Sequence, residues 1–330
     1  MTSFALRPAL HFRQQRTRIL RVYCRNLSRT HGKPESRGPV ELSYSSIIPE
    51  NGNETEKPLV ILHGLFGSKR NWGSLTKAFH RDMPERPIYA LDLRNHGASP
   101  HVTPMTYEAM ADDVHKFVVD KNLRNVALLG HSMGGKAAMA FALSLKERST
   151  PLNTLSHLII EDITPSIGRL SPEFLEHISA MKEIESLPPG TIKTRSDADH
   201  YLKRHEPDVS VRQFLLTNLH IPSHLRTGHD ESHDRVKFIV PLDILASSMD
   251  DLGSFPYRYS AEDNSVPTTW DGPTLAIKGT KSPFINRKNL PALRAFFPNI
   301  CLEEIDTGHW VHAEKPKEFK DLVVRFLQSS

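Results

Sequence analysis

The chain has 330 residues, 38% hydrophobic and 24% charged, enough for one large domain or two small ones with a sizeable core. No run approaches the ~20 apolar residues of a membrane-spanning helix, and two cysteines, Cys24 and Cys301, exclude a disulfide framework or a cysteine-rich metal site. The net charge of +4 sits at the N-terminus: residues 1–34 hold seven arginines and Lys33 without an acid, so the remainder carries −4 and lacks the basic folded surface expected of a nucleic-acid binder.

Taken in chain order, residues 1–34 read as a mitochondrial transit peptide and linker, being arginine-rich, acid-poor and dotted with Ser and Thr. Leu6, Leu10, Ile19, Leu20, Val22 and Leu27 give it an apolar face, and cleavage is expected within 22–33. An apolar stretch at 40–48 predicts one or two early strands. Strand-like runs follow at 58–62, 88–91, 126–129, 155–160, 274–277 and 300–305. Helical periodicity fills the intervals near 72–81, 106–121, 133–147, 286–297 and 315–328. Short apolar strands alternating with helices predict an α/β fold with a mostly parallel, doubly wound sheet. The alternation breaks between about 165 and 255, a stretch rich in charge, Pro and His with helical pieces and no evident buried strand. It reads as a helical cap over the carboxyl edge of the sheet, where such folds place ligands. The expected organisation is therefore 1–34 leader, 35–164 first core segment, 165–255 cap and 256–330 second core segment.

Gly130-His131-Ser132-Met133-Gly134 carries the sharpest chemical signal. It is G-x-S-x-G between a predicted strand and a predicted helix, the setting in which a nucleophilic serine occupies a strained turn. His63-Gly64-Leu65-Phe66-Gly67 closes an earlier strand. The backbone N–H groups of Leu65 and Met133 are the expected oxyanion donors, with His63 organising the loop rather than acting as a base. His309, in Asp306-Thr307-Gly308-His309-Trp310 after the last strand, is the expected base, with His312 the nearby competitor. The acid is less direct, because no Asp or Glu occurs from Gly272 to Leu302, around the penultimate strand where many such enzymes carry it. Asp162, at the end of the strand after the nucleophile helix, and Asp243, near the cap's return, are the candidates. Glu161 should face away from Asp162. The 92–99 segment reads as a structural turn. The run 229–233 has a His pair at i, i+4 but reads as a solvated cap loop rather than a metal site.

These segments together resemble the alpha/beta-hydrolase superfamily over about 58–330. Read jointly, His63–Ser68, Asn71-Trp72, Asp92–Ser99, Gly130–Lys136 and Gly308–His312 resemble the mitochondrial group that contains alpha/beta-hydrolase domain-containing protein 11 and the yeast ethanol acetyltransferases. The resemblance implies a Ser132/His309 pair, a helical cap and Asp162 as the acid, and Gly135 before Lys136 looks more like the hydrolase branch. The expected activity is that of a serine hydrolase acting on small carboxylic esters or thioesters, acyl-CoA among them, with no cofactor and no metal. An alcohol acyltransferase would use the same residues. A non-catalytic partner of another mitochondrial protein is a third reading.

Overall fold

Strands form where β-branched and aliphatic runs are bounded by turn residues, in the order β1 (Tyr44–Ile47), β2 (Leu59–Leu62), β3 (Ile88–Leu91), β4 (Val126–His131), β5 (Leu155–Glu161), β6 (Leu219–His220), β7 (Lys237–Phe238), β8 (Thr274–Gly279) and β9 (Ile300–Ile305). The computed structural model describes residues 38–148, 153–222, 235–259, 262 and 268–329. The arginine-rich segment 1–34 and the 229–233 run lie outside these residues.

Seven strands make one sheet in the order β1-β3-β2-β4-β5-β8-β9. All neighbours pair in parallel except β1, which runs antiparallel to β3 at one edge. The inner strands are apolar on both faces, as a sheet covered by helices on each side requires. Leu59 and Ile61 pack to one side with Phe79 of α1 (Gly73–Asp82) and Phe319 and Val323 of the C-terminal helix Pro316–Gln328. Val60 and Leu62 pack to the other, with Val114 of α2 (Tyr107–Asp120) and Phe141 of α3 (Met133–Ser144). Every residue of α3 is buried, and its run of Gly and Ala lets the helix lie close against the sheet.

The strand order reverses between β2 and β4. The loops leaving their carboxyl ends therefore flank a topological switch point, the place where open α/β sheets bind ligands. The turn after β3 is structural, as its composition suggests. Asp92 accepts from the Lys69 and Ala98 N–H groups at 2.7 and 2.9 Å, and buried Arg94 forms a bidentate pair with buried Asp113 of α2 at 2.6 and 2.7 Å.

Between β5 and β8 the chain builds the cap. Helices α4 (Glu173–Ser186), α5 (Arg195–Leu202) and α6 (Val209–Leu215) pack their apolar faces into the same core cluster as one face of the sheet. Contrary to the purely helical expectation, the cap contains the short antiparallel pair β6–β7, two residues per strand and too brief for an alternation signal. The cap's two roots are tied to the core by buried Lys136, whose Nζ donates to the carbonyls of Ser166 and Ser254 at 2.8 and 3.0 Å. The helix expected at 286–297 begins only at Leu290, because the side chains of Asn286 and Asn289 bond backbone N–H groups and hold a turn before it.

Candidate active site

The chain leaves β4 through a turn so sharp that Ser132 has φ 51° and ψ −116° before α3 begins at Met133. Such a conformation costs roughly 1–3 kcal/mol and persists only where the surroundings hold it. Here the Ser132 N–H donates to the Glu161 carbonyl at 3.0 Å and its carbonyl accepts from Lys136 N–H at 3.0 Å. Glycine is required beside it by close approach. A Cβ on Gly134 would lie 2.5 Å from the His63 carbonyl oxygen, and one on Gly64 would lie 2.8 Å from His131 Nδ1 and 3.3 Å from Ser132 Cβ. The loop after β2 thus lies directly against the serine. Leu65 follows Gly64 in this loop, and Met133 stands at the first position of α3, where its N–H has no helical partner.

The Gly64–Gly67 turn is closed by a Gly67 N–H to Gly64 carbonyl bond of 2.9 Å. Phe66, its third residue, sits at φ 62°, a left-handed conformation that costs a non-glycine residue roughly 1–2 kcal/mol. Two neutral histidines support this loop. His63 donates from Nδ1 to the Gly64 carbonyl at 2.8 Å and accepts from Leu93 N–H at Nε2. His96 accepts from Phe66 N–H at 3.1 Å. Burial lowers both, His96 to about 3.

Asp162 follows β5 with φ 49°, and its buried carboxylate accepts from His309 Nδ1 at 2.7 Å. It also accepts from Gly279 N–H at 3.0 Å and from the Ser282 hydroxyl. The loop after β8, empty of acids, therefore contributes donors to an acid held one strand away. Asp243 lies in the helix Leu242–Ser247, with its side chain 87% exposed and its carboxylate 2.7 Å from Lys182 Nζ, outside this constellation. His309 follows β9, its ring 4.2 Å from that of Phe284 and 5.8 Å from that of Trp310. With Nδ1–H given to Asp162, Nε2 is the ring nitrogen left to accept a hydrogen bond.

A second carboxylate–imidazole pair lies behind the first. Buried Glu161 accepts from both the backbone N–H and Nδ1 of His312, at 2.8 and 2.7 Å. The His312 ring stacks on Trp72 at 4.3 Å. His131 donates from Nε2 to the His309 carbonyl at 3.1 Å. Sequence reading set Glu161 aside because of its facing and missed that this same facing anchors the histidine loop. The missed signal was two adjacent acids at the buried end of a strand. His131, Glu161 and His312 offer ligand atoms within 4.8 Å of one another, yet these hydrogen bonds already occupy Glu161 Oε1 and His131 Nε2. Glu161 Oε2 is buried with no hydrogen-bond partner, so the cluster is a partly satisfied hydrogen-bonded network.

Burial pushes His96, His131 and His312 down to about 3 and Glu161 up to about 7. Below pH 6.5 the unfolded chain takes up protons at three histidines that the fold keeps neutral, so stability falls with falling pH. Each contributes about 1.4 kcal/mol per pH unit. Glu161 opposes this above about pH 4.5, where the fold retains a proton that the unfolded chain has lost. The expected net result is a urea midpoint that drops steadily from pH 7 to pH 5. A flat profile would mean that the buried imidazoles accept protons in place.

The profile of the alpha/beta hydrolase fold family matches residues 57–316. An abhydrolase domain-containing protein of Schizosaccharomyces pombe is 37% identical over 88% of this chain and 98% of its own length. The sn-1-specific diacylglycerol lipase ABHD11 of Danio rerio is 34% identical over 94% of this chain and 90% of its own. A probable alcohol acetyltransferase of Saccharomyces cerevisiae is 35% identical over 88% and 84%. Among solved structures, a marine microorganism esterase superposes with a TM-score of 0.70 at 32% identity, covering 87% of this chain and 99% of the esterase.

Proposed function

Because the chain belongs to the alpha/beta hydrolase fold family, we propose that it is a mitochondrial serine hydrolase that cleaves carboxylic esters or thioesters through an acyl-Ser132 intermediate. What supports this reading is the strained Ser132 turn with the Gly64 loop packed against it, together with the His309–Asp162 pair.

His309 Nε2 takes the Ser132 hydroxyl proton as Oγ attacks the acyl carbon. The Leu65 and Met133 N–H groups receive the developing oxyanion, each worth roughly 2.7–4 kcal/mol. The imidazolium, held by Asp162, then gives its proton to the departing alkoxide or thiolate, and the acyl group remains on Oγ. Water, deprotonated by His309 in turn, releases the carboxylic acid and restores the serine. Every group in this sequence belongs to the chain, so it calls on no cofactor. Mitochondrial import is supported by the arginine-rich, acid-free composition of residues 1–34.

A second reading has an alcohol replace water in the last step, and the relative named as a probable alcohol acetyltransferase supports it. The full chain incubated with diacylglycerols and short-chain acyl-CoA, with and without ethanol, separates the two. Free carboxylic acid in both conditions is the expected result. Ethyl ester accumulating at the expense of acid would assign acyl transfer. Absence of any turnover would favour a non-catalytic interaction protein.

A further inference from the structure

The turn that presents Leu65 is held on both sides of Phe66. Its N–H is taken by His96 of the core, and its carbonyl accepts from the side-chain amide of Asn218 at 2.7 Å. Asn218 belongs to the cap. It ends the turn Leu216–Asn218 that follows α6 and lies 152 residues along the chain from Phe66.

The amide is well fixed. Asn218 is buried, its backbone carbonyl accepts from Ile239 N–H at 2.8 Å, and side-chain Nδ2 also reaches the Leu215 carbonyl at 3.4 Å. The Phe66 side chain is buried as well, its ring 6.4 Å from that of Phe174 in α4. Cap residues therefore meet Phe66 at both backbone and side chain. Phe66 is also the residue whose left-handed conformation shapes the turn, a position that type II turns usually give to glycine.

We propose that Asn218 is a positioning residue of the oxyanion hole: by donating to the Phe66 carbonyl it makes the Leu65 N–H a competent donor only when the cap is seated. The inference rests on the acyl-Ser132 reading above. It couples substrate enclosure to transition-state stabilisation, since the element that covers the site also completes the turn beneath the oxyanion. An amide suits the task because it donates without charge. A carboxylate at the same place would set oxygen against oxygen.

The test compares wild type with Asn218→Leu, which keeps the size and removes the donor, and Asn218→Asp, which keeps the shape and substitutes for the former if it does not fold. Two readouts are taken per folded active site: kcat and KM for an ester, and affinity for a trifluoromethyl ketone, whose serine adduct places an oxyanion in the hole. Loss of an oxyanion donor outright lowers kcat roughly 10²–10³-fold, which sets the upper limit for a residue acting through the turn. The expected result is a fall of about tenfold to hundredfold in kcat, a parallel loss of ketone affinity and little change in KM. A change confined to KM, a fall in kcat without loss of ketone affinity, or no change in either would overturn the proposal. Ser132→Ala run alongside separates the two levels. Turnover surviving there defeats the acyl-serine reading itself, whereas its loss there with Asn218→Leu unaffected defeats only the role of Asn218.

Discussion

Ser132→Ala is expected to abolish ester turnover while the chain keeps its fold. In a hydrolytic serine enzyme, removal of the nucleophile costs roughly 10⁶ in kcat, and what remains reflects binding and the oxyanion donors alone. The fold should tolerate the change because the turn is held by backbone bonds that alanine preserves, from the 132 N–H to Glu161 and from Lys136 to the 132 carbonyl. The strain at φ 51° is common to both residues, since alanine also carries a Cβ. A fluorophosphonate probe should label the wild type and not the variant, with matching thermal unfolding curves. Equal labelling of both would place the reactive serine elsewhere.

Asp162→Asn is expected to lower kcat by about 10⁴, as loss of the tautomer-holding carboxylate does in a serine triad. The geometry makes the substitution especially unfavourable. Gly279 N–H approaches Oδ1, while Ser282 Oγ and His309 Nδ1 approach Oδ2. Whichever way an asparagine turns, its NH₂ faces an existing donor. A further destabilisation of about 1–3 kcal/mol should accompany the kinetic loss. Asp243→Asn, on an exposed side chain paired with Lys182, should leave kcat nearly unchanged. A severe effect at Asp243 with a mild one at Asp162 would reverse the assignment of the acid.

The two expectations differ in how far the sequence alone supports them. The serine is legible as a local pattern, glycines spaced around a residue that joins an apolar strand to a small-residue helix. The histidine is nearly as legible, because its position after the last strand follows from chain order. The acid is not, since Asp162 and Asp243 each satisfy a loose rule about the carboxyl edge of the sheet. The contacts that distinguish them run over 147 residues to His309 and 117 to Gly279.

Neither the β6–β7 pair nor the late helix start at Leu290 was legible in the sequence, but most strand and helix positions, the sharp turn at Ser132 and the presence of a cap were determined by the sequence itself. They arise from interactions within a few residues: hydrophobic period, turn sterics and the conformational freedom of glycine. Tertiary structure alone decided that His309 lies on Asp162, that Glu161 grips His312 and that Asn218 of the cap holds Phe66. Each pairing depends on which strands become neighbours and how the cap folds back over them. A side chain's hydrogen-bonding capacity is written in its identity, but its partner is set by packing that the whole chain creates together.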